Sequence, residues 1–285
     1  MRKIITGQMS DWRDASGCDF AKVRLWTLMI AAVVACGCIC TSGQCGQQAS
    51  NQAVPATAEV EVPKGFVPLF NGSNLDGWEV RDEENQDWRV VDGVIDCDPH
   101  PGPGDRNLWT TRSFGDFELL VDWRIKAAPY TNLGAKVILP NGTYKKDALG
   151  ADVQTAVANV DSGIFLRGQH KSQVNIWCWS AGSGEVWGYR TDPAFAPEVR
   201  AGVTPKTKAD RAIGEWNTFH ITLKGDRLWV KLNSQDVIEN AQLPGIPRTG
   251  PIALQHHGDR KDGEWGASFV QFRRVYVREL PPPRE

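Results

Sequence analysis

Residues 117–125, FELLVDWRI, put Phe117, Leu119, Val121, Trp123 and Ile125 on one parity and Glu118, Leu120, Asp122 and Arg124 on the other. That two-residue period predicts a strand with one buried face. Comparable runs recur as WRVVDGVID, SGIFLRG, SQVNIWCW, WNTFHITLKG, RLWVKLNSQ, GPIALQHHG and FVQFRRVYVREL, with Gly, Pro, Asn and Asp between them. ITLKGDRLWVKLN predicts a hairpin turning at Gly225-Asp226. In the last run Val270 and Phe272 share a parity that Val275 and Val277 break, so a β-bulge is expected at Arg273-Arg274. No amphipathic helix and no solenoid repeat is visible. Many short strands with turn signals predict an all-β fold, a two-sheet antiparallel β-sandwich.

The same parity sorts the chemistry-bearing residues. In DSGIFLRG, Ser162, Ile164 and Leu166 face one way, and Gly163, Phe165 and Arg167 the other. Arg167 would then hold a guanidinium on an open face beside an aromatic ring, where its planar fork of donors suits sugar hydroxyls or a developing oxyanion. A solvated edge-strand arginine is the alternative. In SQVNIWCW, Gln173, Asn175, Trp177 and Trp179 oppose Val174, Ile176 and Cys178. Such a face can stack on and hydrogen-bond a sugar, or simply be an exposed edge. Gln255 and His257 share a face opposite Leu254 and His256; a histidine there can act as acid or base, or bond a loop carbonyl. Glu185 sits in a Gly-Ser-Gly loop, where a carboxylate is either solvated or catalytic. Asp122 reaches the concave surface or the convex one; parity does not decide.

The N-terminal third reads differently. Lys22 and Arg24 precede Leu25–Ala35, an apolar run of 11 residues that is short for a membrane span and suits a signal sequence. It ends in VVAC, which resembles a lipoprotein signal with Cys36 as the lipidated residue. Expected boundaries are 1–35 for the signal sequence, 36–64 for a flexible tether, and 65–285 for the folded domain. An exported, cell-envelope lipoprotein follows, or a periplasmic protein if Cys36 is not used. Five of the seven cysteines (Cys18, Cys36, Cys38, Cys40, Cys45) fall in or just after the leader. Cys97 and Cys178 are left to pair or stay free. A net charge of −2 shows no basic excess, so no nucleic-acid partner is expected.

LFNGSNLDGW, DSGIFLRG, GEWNTFHITLKGDRLWVKLNSQ and GPIALQHHG…FVQFRRVYVREL, in that order, resemble the 3-keto-disaccharide hydrolase family from about Phe66 to Leu280. The resemblance implies a concanavalin A-like jelly roll. It also implies action on sugars oxidised at carbon 3, by bond cleavage or by hydration of a 3-keto-2-hydroxyglucal. The chain departs from the family at three points. It has Asp161 for the usual Asn, Gln173-Val174-Asn175 for Glu-x-Gln, and Gln255-His256-His257-Gly258 for Gln-Asp-His-Gly. IWCWSAGSGEVWGYRTD adds Glu185 and extra aromatics, Tyr189 among them.

A ketone at carbon 3 acidifies the hydrogen on carbon 2. A base removes it, the glycosidic oxygen leaves by β-elimination, and water adds back. On this reading Arg167 meets the enolate oxygen, His257 moves the proton and Glu185 is the alternative base. Asn175, Trp177, Trp179, Gln255, Asp122 and Tyr189 would bind substrate. The partner is an oxidised di- or oligosaccharide, with the membrane reached through the lipid anchor. The cofactor is unknown. A divalent cation on Asp161, Glu185, His257 and Asp259 is left open but not predicted, because their spacing is no metal signature. A lectin-like glycan-binding lipoprotein is the alternative function.

Lipidation predicts a mature chain that begins at acylated Cys36. Intact-mass analysis of the exported protein checks this, and an unmodified N-terminus beyond Cys36 would overturn it.

Overall fold

The alternation in FELLVDWRI is realised as drawn: Phe117, Leu119, Val121, Trp123 and Ile125 are all buried from one side of a nine-residue strand. The computed structural model describes residues 61–80, 86–102, 105–258 and 266–281. These belong to one unit spanning Ala58–Glu285. The signal sequence, Cys36 and most of the tether lie outside the described residues.

The strands are β1 (Val67–Pro68), β2 (Trp78–Val80), β3 (Trp88–Val91), β4 (Val94–Cys97), β5 (Leu108–Thr110), β6 (Phe117–Ile125), β7 (Thr131–Lys136) and β8 (Gln154–Ala158). There follow β9 (Asp161–Leu166), β10 (Gln169–Trp177), the short helices α1 (Trp187–Arg190) and α2 (Pro197–Gly202), then β11 (Asn217–Lys224), β12 (Arg227–Leu232), β13 (Gln235–Gln242), β14 (Ala253–Leu254) and β15 (Val270–Glu279). One sheet runs β13-β12-β11-β6-β15-β4-β3, with β1 also on β15; a second runs β10-β9-β14-β5-β2; β7 and β8 form a separate hairpin. All named strand pairs are antiparallel. Leu119, Val121, Phe219 and Phe272 of the larger sheet share one apolar cluster with Ile164, Leu166, Val174 and Ile176 of the smaller. This is the expected two-sheet jelly-roll sandwich, with its core between the sheets.

Local signals resolve as follows. Lys224 pairs with Arg227 around Gly225, whose φ of +59° fits the Gly-first type II′ turn. The register slips between Arg273 and Tyr276, and Arg274 has φ +47°, so the expected bulge is present. WRVVDGVID is two strands rather than one run, because Asp92-Gly93 turns it into the β3–β4 hairpin. The helices have four and six residues, too short to leave an amphipathic period in the sequence. Cys97 and Cys178 are free thiols.

Arg167 is a correction. The strand ends at Leu166, which pairs with Gln169, so Arg167-Gly168 form a two-residue turn with φ of +51° and +70°. A non-glycine residue in this region is disfavoured, and the cost is offset by the guanidinium. Its Nε donates to Gly115 O (2.8 Å), Nη1 to Gly225 O (2.7 Å) and Pro247 O (3.1 Å), and Nη2 to Asp116 Oδ1 (2.7 Å). Arg167 is thus a buried strut that ties three loops to the turn, not a face residue. Arg167→Ala should destabilise the fold by about 3 kcal/mol, because it leaves the Asp116 carboxylate without its cation, with Gly225 N–H (2.8 Å) as its remaining donor, and strips several carbonyls of theirs. Urea denaturation reads the change, and an unaltered midpoint would refute the strut role.

Candidate functional site

The outer face of the five-stranded sheet, away from the core, collects most of the predicted polar residues. Ala253 pairs with both Trp109 and Phe165, and Phe165 pairs with Gln173. One row of that face therefore reads Trp109, Ala253, Phe165, Gln173. The next holds Gln255, whose N–H donates to Gly163 O (2.8 Å), then Gly163 and its partner Asn175. The third holds His257, Asp161 and Trp177.

The first row is apolar up to Gln173. Trp109 and Phe165 stack at 5.9 Å between ring centres, with His170 4.8 Å from Phe165. The second row is made of amides. Gln173 Nε2 donates to Ser162 O (3.2 Å) and in a short bond to Gln255 Oε1. Its side chain crosses directly above Gly163, where an added Cβ would lie 2.5 Å from Gln173 Nε2. Glycine at 163 is required because the same Cβ would also lie 2.8 Å from the backbone Val174 O of the neighbouring strand. The third row carries the ionisable pair, with His257 Nε2 4.0 Å from Asp161 Oδ2. Asp161 is enclosed, though about a third of its side-chain surface (32%) remains open. Burial pushes its carboxyl up to about 6, against the pull of His257.

Glu185 is buried rather than solvated. Its segment doubles back on β10, with Asn175 N–H donating to Glu185 O (2.9 Å) and Gly184 N–H to Asn175 O (2.8 Å). Glu185 Oε1 takes a short bond from Arg190 Nε of α1. Arg190 also reaches Tyr144 OH (3.3 Å) and lies over the Tyr144 ring, in the connection between β7 and β8. Glu185 Oε2 and Asn175 Oδ1 are buried and meet no hydrogen-bond partner among the described residues. Burial pushes the Glu185 carboxyl up to about 7; Arg190 opposes the shift and the nearby Asp161 charge adds to it.

The other predicted residues divide. Trp177 is nearly buried, its Nε1 donating to Gly182 O (2.8 Å), and Trp179 stacks on it at 4.9 Å as the more open ring. Asp122 lies on the outer face of the other sheet, held by Thr218 Oγ1 (2.7 Å), Arg273 and Arg274. It cannot share a surface with Asp161. Tyr189 is fully buried, bonded to Gln169 Oε1 (3.1 Å) and Pro244 O (3.3 Å), and is no contact for a surface ligand. His256 turns away to Asp87 Oδ2 (3.1 Å), and burial lowers its ring to about 4. Asp259 lies outside the described residues, and among those described no three His, Cys, Asp or Glu side chains converge as a metal site. Gln173 was legible from parity, whereas Asp161 was marked only as a departure from the family's usual Asn. Arg190 and Tyr144 left no pattern that links them to the site.

The raised carboxyls make stability pH-dependent in a defined window. Between the ordinary Glu value of 4.5 and about 7, the folded chain holds a proton on Glu185 that the unfolded chain has lost. Stability should therefore fall as pH rises through that range. Urea midpoints at pH 5 and 7.5 should differ less in Glu185→Gln than in the parent, and equal differences would refute the raised carboxyl.

Comparison with known proteins agrees with this architecture. A family model described as a 3-keto-alpha-glucoside-1,2-lyase-like domain matches residues 65–278. No curated protein matches the chain. Among solved structures, a candidate glycosyl hydrolase from Parabacteroides distasonis is 20% identical, with TM-score 0.50, over 76% of this chain and 84% of its own. A second from the same organism is 19% identical, with TM-score 0.48, over 79% and 99%. A carbohydrate binding module from Bacillus subtilis is 15% identical, with TM-score 0.38, over 71% and 95%. At 20% identity the likeness to the first of these is one of fold. The family match spans most of the chain and covers the stretch that carries the motifs, so this protein belongs to the 3-keto-alpha-glucoside-1,2-lyase-like domain family.

Proposed function

We propose that the protein is a carbohydrate-active enzyme that opens the glycosidic bond of 3-keto sugars by elimination and adds water across the resulting double bond. The observation that carries this reading is Asp161 facing His257 across 4.0 Å on the outer sheet face, with the Asp161 carboxyl raised to about 6. A base poised near neutrality suits removal of an acidified C–H.

Asp161 takes the proton from carbon 2, and its electron pair forms the carbon 1–carbon 2 double bond. His257 protonates the departing glycosidic oxygen. Water then delivers hydroxide to carbon 1 and a proton to carbon 2. The carboxamide of Gln255, oriented by Gln173 Nε2 on its Oε1, supplies the donor for the enolate oxygen, the task first given to Arg167. Trp179 offers a ring face to the sugar. Relatives commonly carry a carboxylate where this chain has Gln173; here one stands on the same face at Asp161. Glu185 is a positioning residue, joined through Arg190 to Tyr144. Export and anchoring at Cys36 would place this activity at the cell envelope.

The test is turnover of a 3-keto-glycoside by the purified protein. Asp161→Asn and His257→Ala should each lower kcat by roughly 10²–10⁴-fold. The parent rate should rise with pH through about 6, as Asp161 ionises. Full activity in both variants would remove the pair from the mechanism. Tight sugar binding without turnover would identify a glycan-binding protein instead.

A further inference from the structure

The outer face of the larger sheet carries a trough of about 490 Å³, on the opposite sheet from Asp161 and His257. Leu120, Thr218, His220, Lys231, Ser234 and Arg211 line it. His220 of β11 pairs with Leu120 of β6 on one side and Lys231 of β12 on the other, so these three stand in one row of that face. Arg211 is anchored by its backbone N–H on Asn217 Oδ1 (2.9 Å). Asn233, also in the lining, has its carboxamide engaged with Thr218 N, Ala209 O and Asn217 Oδ1.

No carboxylate of the described residues lines the trough. The acids around it hold cations of their own. Asp236 has Lys231 (2.6 Å), Glu118 has Arg278 (2.7 Å) and His220 (2.9 Å), and Asp122 has both Arg273 and Arg274. Lys231 gives Asp236 one of its three donors and keeps 45% of its side-chain surface open. Arg211 is exposed, pairs with no acid among the described residues, and donates from Nη1 to Trp216 O (2.9 Å). Positive charge is therefore in excess here, in a chain whose net charge is −2.

Hydroxyls complete the lining. Thr218 Oγ1 donates to Asp122 Oδ1 (2.7 Å) and keeps its acceptor side. Ser234 is exposed in the β12–β13 turn, with φ of +69° after Asn233 at +51°. A two-residue turn of this hand favours Asn-Gly. Serine keeps a hydroxyl there at a cost in backbone energy. We propose that the trough binds an acidic sugar residue of a glycan, with its carboxylate at Arg211 and Lys231, its hydroxyls at Thr218 and Ser234, and its ring against Leu120. A site of this volume takes a sugar ring rather than a lone inorganic anion. The proposal is independent of the chemistry assigned to Asp161 and His257.

Digalacturonate is the probe and its dimethyl ester the uncharged counterpart, each titrated calorimetrically into the full-length protein. Digalacturonate should bind, more weakly as salt rises, and the ester roughly tenfold less well. Arg211→Ala and Lys231→Ala, both at exposed positions, should each weaken digalacturonate about three- to tenfold. Ser234→Gly should raise the urea midpoint, because glycine suits the left-handed backbone, and yet weaken binding. Trp179→Ala, on the other sheet, should leave binding unchanged. Equal affinity for acid and ester would overturn the proposal, as would unchanged binding in both cation variants. Displacement of digalacturonate by an equal concentration of sulfate would reduce the trough to an inorganic-anion site and reject the sugar. Loss of binding in Trp179→Ala would place the sugar on the smaller sheet and reject the trough.

Discussion

The register of β9 on β10 decides what the outer face of the smaller sheet can carry. Strand side chains alternate, so a slip of one residue would send Asp161, Gln173 and Asn175 into the core and Ile164, Val174 and Ile176 to the surface. Two devices fix that register. The Arg167-Gly168 turn starts the pairing with Leu166 opposite Gln169. A bulge over His170–Ser172 then shifts it, so that Phe165 faces Gln173. Ser172 holds the bulge by donating to Leu166 O (2.6 Å) and Gln169 O (2.9 Å). Because the shift is odd, it reverses the parity of β10 relative to the turn. The buried guanidinium holds the end from which this pairing begins, and so acts on the site without touching it.

Much of the sandwich was legible because its signals are local. Alternation, Gly-first turns and a parity break each depend on a few neighbouring residues. The five-stranded sheet's face was legible for the same reason: Gln173, Asn175, Gln255 and His257 followed from counting by twos. Arg167 was misread because Arg-Gly is an uncommon pair for a tight hairpin, and nothing local shows that carbonyls of Gly115, Gly225 and Pro247 converge to satisfy it. The Glu185 segment was misread because Gly-Ser-Gly context suggests solvent. Its burial depends on β10 in front and Tyr144 behind, which are distant in sequence.

The connection between β7 and β8 joins these parts. Tyr144 and Ile138 pack with Trp177, Ala181 and Trp179 in a small cluster apart from the main core. Arg190 bonds Tyr144 and Glu185 together. The aromatic wall and the buried acid are therefore positioned by one hairpin connection, and a change there would reach both the Trp177–Trp179 stack and the carboxyl of Glu185.

The two outer faces hold their carboxyls differently. On the larger sheet, burial also acts on Asp96 and Glu118, but cations outweigh it. Lys126 and Arg89 surround Asp96, with Gln271 adding a hydrogen bond, while Arg278 and His220 surround Glu118, and both carboxyls fall below their ordinary values. Asp122 there is likewise held between Arg273 and Arg274. Asp96 and Glu118 are committed to structure and stay ionised. On the smaller sheet, among the described residues, Asp161 has His257 at the limit of an ion pair, and Glu185 has Arg190 on one oxygen. Burial dominates at both, and their carboxyls rise toward neutrality. Carboxyls in similar strand settings thus divide into fixed anions and exchangeable protons according to how many cations each sheet brings to them.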